Sequence, residues 1–244
     1  MTHLGIARLK SATGAVAIAL TLSACGSSQS PDHTSPTEAK SADPLAGTAE
    51  RPFSSGATPL TAQKLKQRLL AASDLGPAYK AVPQAGEKDD NDGLGPCKRE
   101  FARYGIKDPK ELDLAAEVKL GFALEVGDGR SVLQESLSTD TPKKLAAVYK
   151  IFFDVLSTCG PLEAPAEPGK HGKITIEIEK APLPTQKLGE EQYAIVSTSS
   201  WDSETEVTKT VGVRDGNVGT ILTGPPDMVD QNIARAVAKA KVGK

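Results

Sequence analysis

Three cysteines, Cys25, Cys97 and Cys159, are the residues of this 244-residue chain best suited to covalent chemistry. A thiol can be acylated, can pair with a second thiol, or can hold a metal as thiolate. Cys97 and Cys159 would need two further ligands for a zinc site, and no histidine is placed to complete the set. His171, in Pro168-Gly169-Lys170-His171-Gly172-Lys173, has no orienting acid beside it, so a solvated loop residue is expected rather than a general base. The chain has no Gly-x-Ser-x-Gly elbow, no phosphate loop and no His-Glu-x-x-His. Glu87-Lys88-Asp89-Asp90-Asn91-Asp92-Gly93 invites a calcium reading. Aligning Gly93 with the loop glycine, however, puts Lys88 at the first ligand position and Arg99 where a bidentate glutamate belongs. The residue types therefore predict no catalytic set, no resident metal and no cofactor: a protein that binds rather than one that catalyses.

Cys25 has a context of its own. Arg8 and Lys10 precede an apolar run, Ala15–Leu22, which is followed at once by Ser23-Ala24-Cys25. A basic start, a short apolar stretch and small residues at the cut are the anatomy of a secretory signal. The run is too short to span a bilayer, which takes about 20 apolar residues. Leu22-Ser23-Ala24-Cys25 resembles the lipobox of bacterial lipoproteins. That resemblance implies removal of residues 1–24 and lipidation of Cys25, which would hold the chain at the outer face of the cell membrane. One acyl chain holds only marginally, so two or three are needed for a stable grip.

Without residues 1–24 the chain carries 27 Lys and Arg against 31 Asp and Glu, a formal charge of −4. That argues against nucleic acid, which asks for a basic stripe, and against electrostatic binding to anionic lipid. Residues 25–58 read as the lipidated cysteine and a tether. Eighteen of the 33 residues from Gly26 to Thr58 are Ser, Thr, Pro or Gly, and only Leu45 and Phe53 are large and apolar. Such a segment buries too little to offset the entropy of ordering. As a flexible coil it would separate its ends by about 30 Å.

Residues 59–244 suit one globular domain. Thr61 can cap a helix with Leu65, Leu69 and Ala72 on one face, ending near Gly76-Pro77. Thr141-Pro142 starts another, in which Leu145, Val148, Tyr149, Phe152, Leu156 and Cys159 recur at helical spacing until Gly160-Pro161. A last helix from Pro226 would pack Val229, Ile233, Val237 and Ala240. Between them, apolar and polar residues alternate over 118–126, 131–139, 174–178, 193–201, 207–214 and 217–223, with turn signals at Asp128-Gly129 and Asp215-Gly216. The predicted class is α+β, a single largely antiparallel sheet of about six strands with three or four helices packed against it.

Outside the cytoplasmic membrane a disulfide is permitted. Cys159 ends the apolar face of its helix, where it can meet a residue from a preceding loop. A Cys97–Cys159 bridge is therefore expected, with free buried thiols or a two-thiolate metal site as the alternatives.

Leu69-Leu70, Asp74-Leu75-Gly76-Pro77, Cys97, a helix ending in Phe152-Phe153…Cys159, then Leu183-Pro184 and a run of strands closed by a helix form an order of elements. Over about residues 60–242 that order resembles the extracytoplasmic sensor domain of the actinobacterial kinase PknH and its free-standing lipoprotein relatives. The resemblance implies a sheet with helices against it and a cleft for an unknown ligand. This chain departs from the pattern in having one cysteine pair rather than two, and it has neither a kinase domain nor a spanning helix.

The expected function is a membrane-anchored, non-enzymatic ligand-binding or sensor-like module of the cell envelope, whose ligand-binding residues the sequence leaves unknown. An accessory protein that docks a protein partner through its surface, and a carrier of lipid or another apolar envelope molecule, are the alternatives. Tyr79, Tyr104, Tyr193 and Trp201 could line a cleft, although packing on the sheet with polar ends at the surface is the simpler expectation.

Overall fold

A computed structural model describes residues 57–82, 97–126, 129–165, 173–201 and 204–241. Cys25, the signal, the tether to residue 56, the Glu87–Gly93 loop and His171 lie outside the described residues.

Each strand has alternating faces, and its register decides which side chains share one. Among the described residues eight strands form one sheet: β1 (Tyr79–Val82), β2 (Ala116–Val126), β3 (Gly129–Thr139), β4 (Leu162–Pro165), β5 (Lys173–Lys180), β6 (Glu191–Trp201), β7 (Glu204–Asp215) and β8 (Val218–Gly224). Their spatial order is β1-β2-β3-β8-β7-β6-β5-β4, and every neighbouring pair is antiparallel. The expected class is right. The expected count is low by the two four-residue edge strands, β1 and β4, which are too short to show a period.

Among the described residues five α-helices accompany the sheet, more than the three or four expected: α1 (Ala62–Lys66), α2 (Ala72–Leu75), α3 (Lys98–Arg103), α4 (Pro142–Leu156) and α5 (Pro226–Lys241), with a 3₁₀ turn at Pro109–Leu112. α4 starts where Thr141-Pro142 predicts, Thr141 Oγ1 accepting from Lys144 N–H at 3.4 Å. α5 starts at Pro226 as expected. The helix expected to run from Thr61 to Gly76 is broken in two. Leu70 N–H donates to Glu135 Oε2 at 2.6 Å and Ala71 N–H to Asp74 Oδ2 at 2.7 Å, which takes both donors away from a continuous helical ladder.

The two long helices lie on opposite faces of the sheet. α5 covers Leu133, Val211, Val213 and Leu222 with Val229, Ile233, Ala236 and Val237. α4 covers the other face, setting Leu145, Tyr149, Phe153 and Leu156 against Ile174, Ile176 and Ile195, with Phe101 and Leu112 closing the cluster. α1 adds Leu65, and the turn that follows it Leu69, over Val118 and Leu137. The Asp215-Gly216 signal makes a tight hairpin, Asp215 pairing with Val218, and Gly216 takes a φ of +62°, a conformation glycine adopts without steric cost. At the earlier hairpin Val126 pairs with Gly129, so Gly129 belongs to β3 rather than to the turn that the Asp128-Gly129 signal suggested.

Candidate ligand-binding surface

The sheet face under α4 divides into an apolar half and a hydroxyl-rich half. α4 can approach closely because two strand positions carry no side chain. A Cβ on Gly212 would stand 2.4 Å from the Phe153 ring, and one on Gly219 would stand 2.1 Å from the Tyr149 hydroxyl. Phe153 stacks on Tyr193, centroids 5.1 Å apart and planes 10° apart, and meets Phe152 edge-on at 5.1 Å. Tyr149 Oη and Ser138 Oγ share a hydrogen bond of 3.1 Å, and burial pushes the Tyr149 phenol well above its ordinary range.

Toward the 126–129 and 201–204 hairpins the same face becomes polar. Cross-strand pairing aligns Ser197 with Thr208, and Thr210 with Thr223, which in turn pairs with Gln134; Ser199 pairs with Glu206. Ser197, Ser199, Thr208, Thr210, Thr223 and Gln134 are all half-buried. The two threonine hydroxyls bond each other at 3.0 Å. Five hydroxyls and one carboxamide on four adjacent strands present both donors and acceptors, without a formal charge at the centre. Such a row suits a neutral, hydrogen-bonding ligand better than an ion or a hydrocarbon.

Of the aromatics singled out from sequence, Tyr193 and Trp201 share this face; Tyr79 and Tyr104 do not join them. Tyr193 sits under α4, its hydroxyl donating to Glu191 Oε2 at 3.3 Å, and burial together with the Glu191 carboxylate pushes it up to about 12. Trp201 packs on the α4 core and donates Nε1–H to Glu204 Oε2 at 2.9 Å. Tyr79 packs on the α5 side. Tyr104 is 42% exposed and reaches Asp154 Oδ2 at 3.2 Å. Asp154 also pairs with Lys150 and Lys180, and the Lys150 hydrogen bond holds its carboxyl below the usual range. Packing on the sheet, the simpler expectation, describes Tyr79, Tyr193 and Trp201, whereas Tyr104 stands exposed at the end of α3.

Cys97 and Cys159 are joined, Cα atoms 4.8 Å apart, which ties α3 to the end of α4. Among the described residues no cluster of His, Cys, Asp or Glu could hold a metal. Sequence reasoning missed the hydroxyl row altogether. Its only sequence signal is the run of Ser and Thr at alternate positions along β6 and β7, in strands already recognised.

No protein-family model and no curated protein matches the chain. Among solved structures, the extracellular domain of PknH from Mycobacterium tuberculosis is similar. The TM-score is 0.54 at 14% identity, over 76% of this chain and 98% of that one. The chain thus shares the fold of that extracellular domain, the fold expected from the order of its elements.

Proposed function

We propose that the protein is a membrane-tethered, non-enzymatic binding module of the cell envelope that holds its ligand on the hydroxyl row beside α4. The observation that carries the reading is that row itself: Ser197, Thr208, Thr210, Thr223 and Gln134, half-buried on adjacent strands of a fold shared with an extracellular domain. The large apolar side chains that stay exposed among the described residues are Tyr104, Leu183 and Val207, spread over the end of α3, the β5–β6 connection and β7. A flat apolar docking patch would need them together. This dispersal weighs against the docking alternative.

The direction of attachment supports the same reading. Asn217 Nδ2 donates to Thr58 O at 2.8 Å and Leu60 N–H to Thr139 Oγ1 at 3.1 Å, so the chain joins the sheet at its 216–217 hairpin end. The hydroxyl row begins five residues further along β7 and β8, at Thr210 and Thr223, about 17 Å at strand spacing. A tether from a lipidated Cys25 would join the sheet at the end opposite that row and leave the row clear of the attachment point. The expected result is that the parent protein fractionates with membranes and labels with palmitate, whereas Cys25→Ser does neither. A Cys25→Ser protein that stays membrane-bound and is processed like the parent would contradict the anchor.

A further inference from the structure

Glu135 has no exposure to solvent, and it points from β3 to the α5 side between Leu133 and Leu137. Its cross-strand neighbours are Leu120 and Leu222. One carboxylate oxygen accepts the Leu70 N–H at 2.6 Å; the other is buried without a partner. Leu70 lies between α1 and α2, in the first folded stretch of the domain. Residues 58–75 form a strap whose other polar ties include Asn217 Nδ2 to Thr58 O, Leu60 N–H to Thr139, Arg68 Nη1 to Ala240 O at 3.1 Å, and Asp74 to Lys239. Leu65, Leu69 and Leu70 are its buried apolar contacts. The charged groups that face Glu135 are Asp74 from α2 and Lys239 from α5, with Arg235 acting on Asp74.

We propose that this strap is a proton-controlled clamp: Glu135 holds it shut as a neutral acid and loosens it on ionising. The balance of contacts gives the direction. An ionised Glu135 under the closed strap has one oxygen satisfied by Leu70 N–H and one left in apolar surroundings, a costly arrangement for a charge. Once the strap lifts, water solvates both oxygens. Opening is therefore coupled to loss of the proton. Burial, opposed in part by the Leu70 hydrogen bond, moves the carboxyl from its ordinary 4.5 up to about 7 when closed. The clamp is fully held below about pH 4.5 and loses its grip as pH rises through 7. Asp74 works the other way: its hydrogen bond from Lys239 lowers its pKa from 3.8, so its contribution is lost only at lower pH, outside this window.

Hydrogen exchange of the full chain reads the clamp directly. Once corrected for intrinsic exchange, protection of peptides from residues 62–75 should fall roughly thirtyfold between pH 5.5 and 8.5, as linkage of a carboxyl moving from 7 to 4.5 requires. In Glu135→Gln it should stay flat. Equal pH dependence in both proteins, or none in the parent, would overturn the clamp. Should the glutamine variant fail to fold, 13C titration of the Glu135 carboxyl in the parent decides. An inflection near 7 supports the clamp and one near 4.5 contradicts it.

Discussion

Replacing both Cys97 and Cys159 with alanine should cost about 4 kcal/mol of stability. The bridge closes a 62-residue separation, and in the chain-entropy model a loop of that length restricts the unfolded chain by about this amount. The native state also depends on it locally. α3 buries only Phe101 of its own residues, and the bridge fixes its first turn to the end of α4. Denaturant unfolding of the double variant should show a lower midpoint, with a slope at least as steep because the unfolded chain expands. An unchanged midpoint would contradict the structural role of the bridge.

A second large effect should come from Phe153. Its ring is buried, stacks on Tyr193 and lies directly over Gly212. Phe153→Ala should destabilise by about 3–5 kcal/mol, the range for emptying an aromatic site in a packed core. Gly212→Ala should cost about 1–3 kcal/mol for the opposite reason, since the new Cβ meets the Phe153 ring. The two changes share one space, so the double variant should lose clearly less than the sum. Equilibrium unfolding of the four proteins closes the cycle. Strict additivity would mean that α4 does not rest on this glycine.

The long elements were legible because their signals are local and repeated. β2, β5, β6 and β7 alternate over enough residues to fix a face, and α4 and α5 carry an apolar stripe behind a proline start. The short ones were not. β1 and β4 exist because longer strands offer them an edge, and α3 because a disulfide holds it in place. The break between α1 and α2 is a tertiary override. Leu65, Leu69 and Ala72 fit one helix by spacing, but a glutamate 65 residues away takes the Leu70 N–H. The candidate site was hidden for a related reason. Ser197, Thr208, Thr210, Thr223 and Gln134 are ordinary polar strand residues when each strand is read alone, and only the register of four strands lines them up. Gly212 and Gly219, which admit α4, likewise gain their meaning from Phe153 and Tyr149.

Whether the hydroxyl row binds is the most direct question. The full chain and a Thr210→Arg/Ser197→Arg variant, each folded at its own baseline, should be titrated with cell-envelope extracts while the thermal midpoint is followed, and any bound species identified by native mass spectrometry. A ligand at a hundred times its dissociation constant stabilises a fold by about 2.7 kcal/mol. The expected result is a raised midpoint and a bound, uncharged, hydrogen-bonding species with the parent, both lost in the variant. A parent that binds nothing, or a variant stabilised by the same species to the same extent, would contradict the assignment of this face.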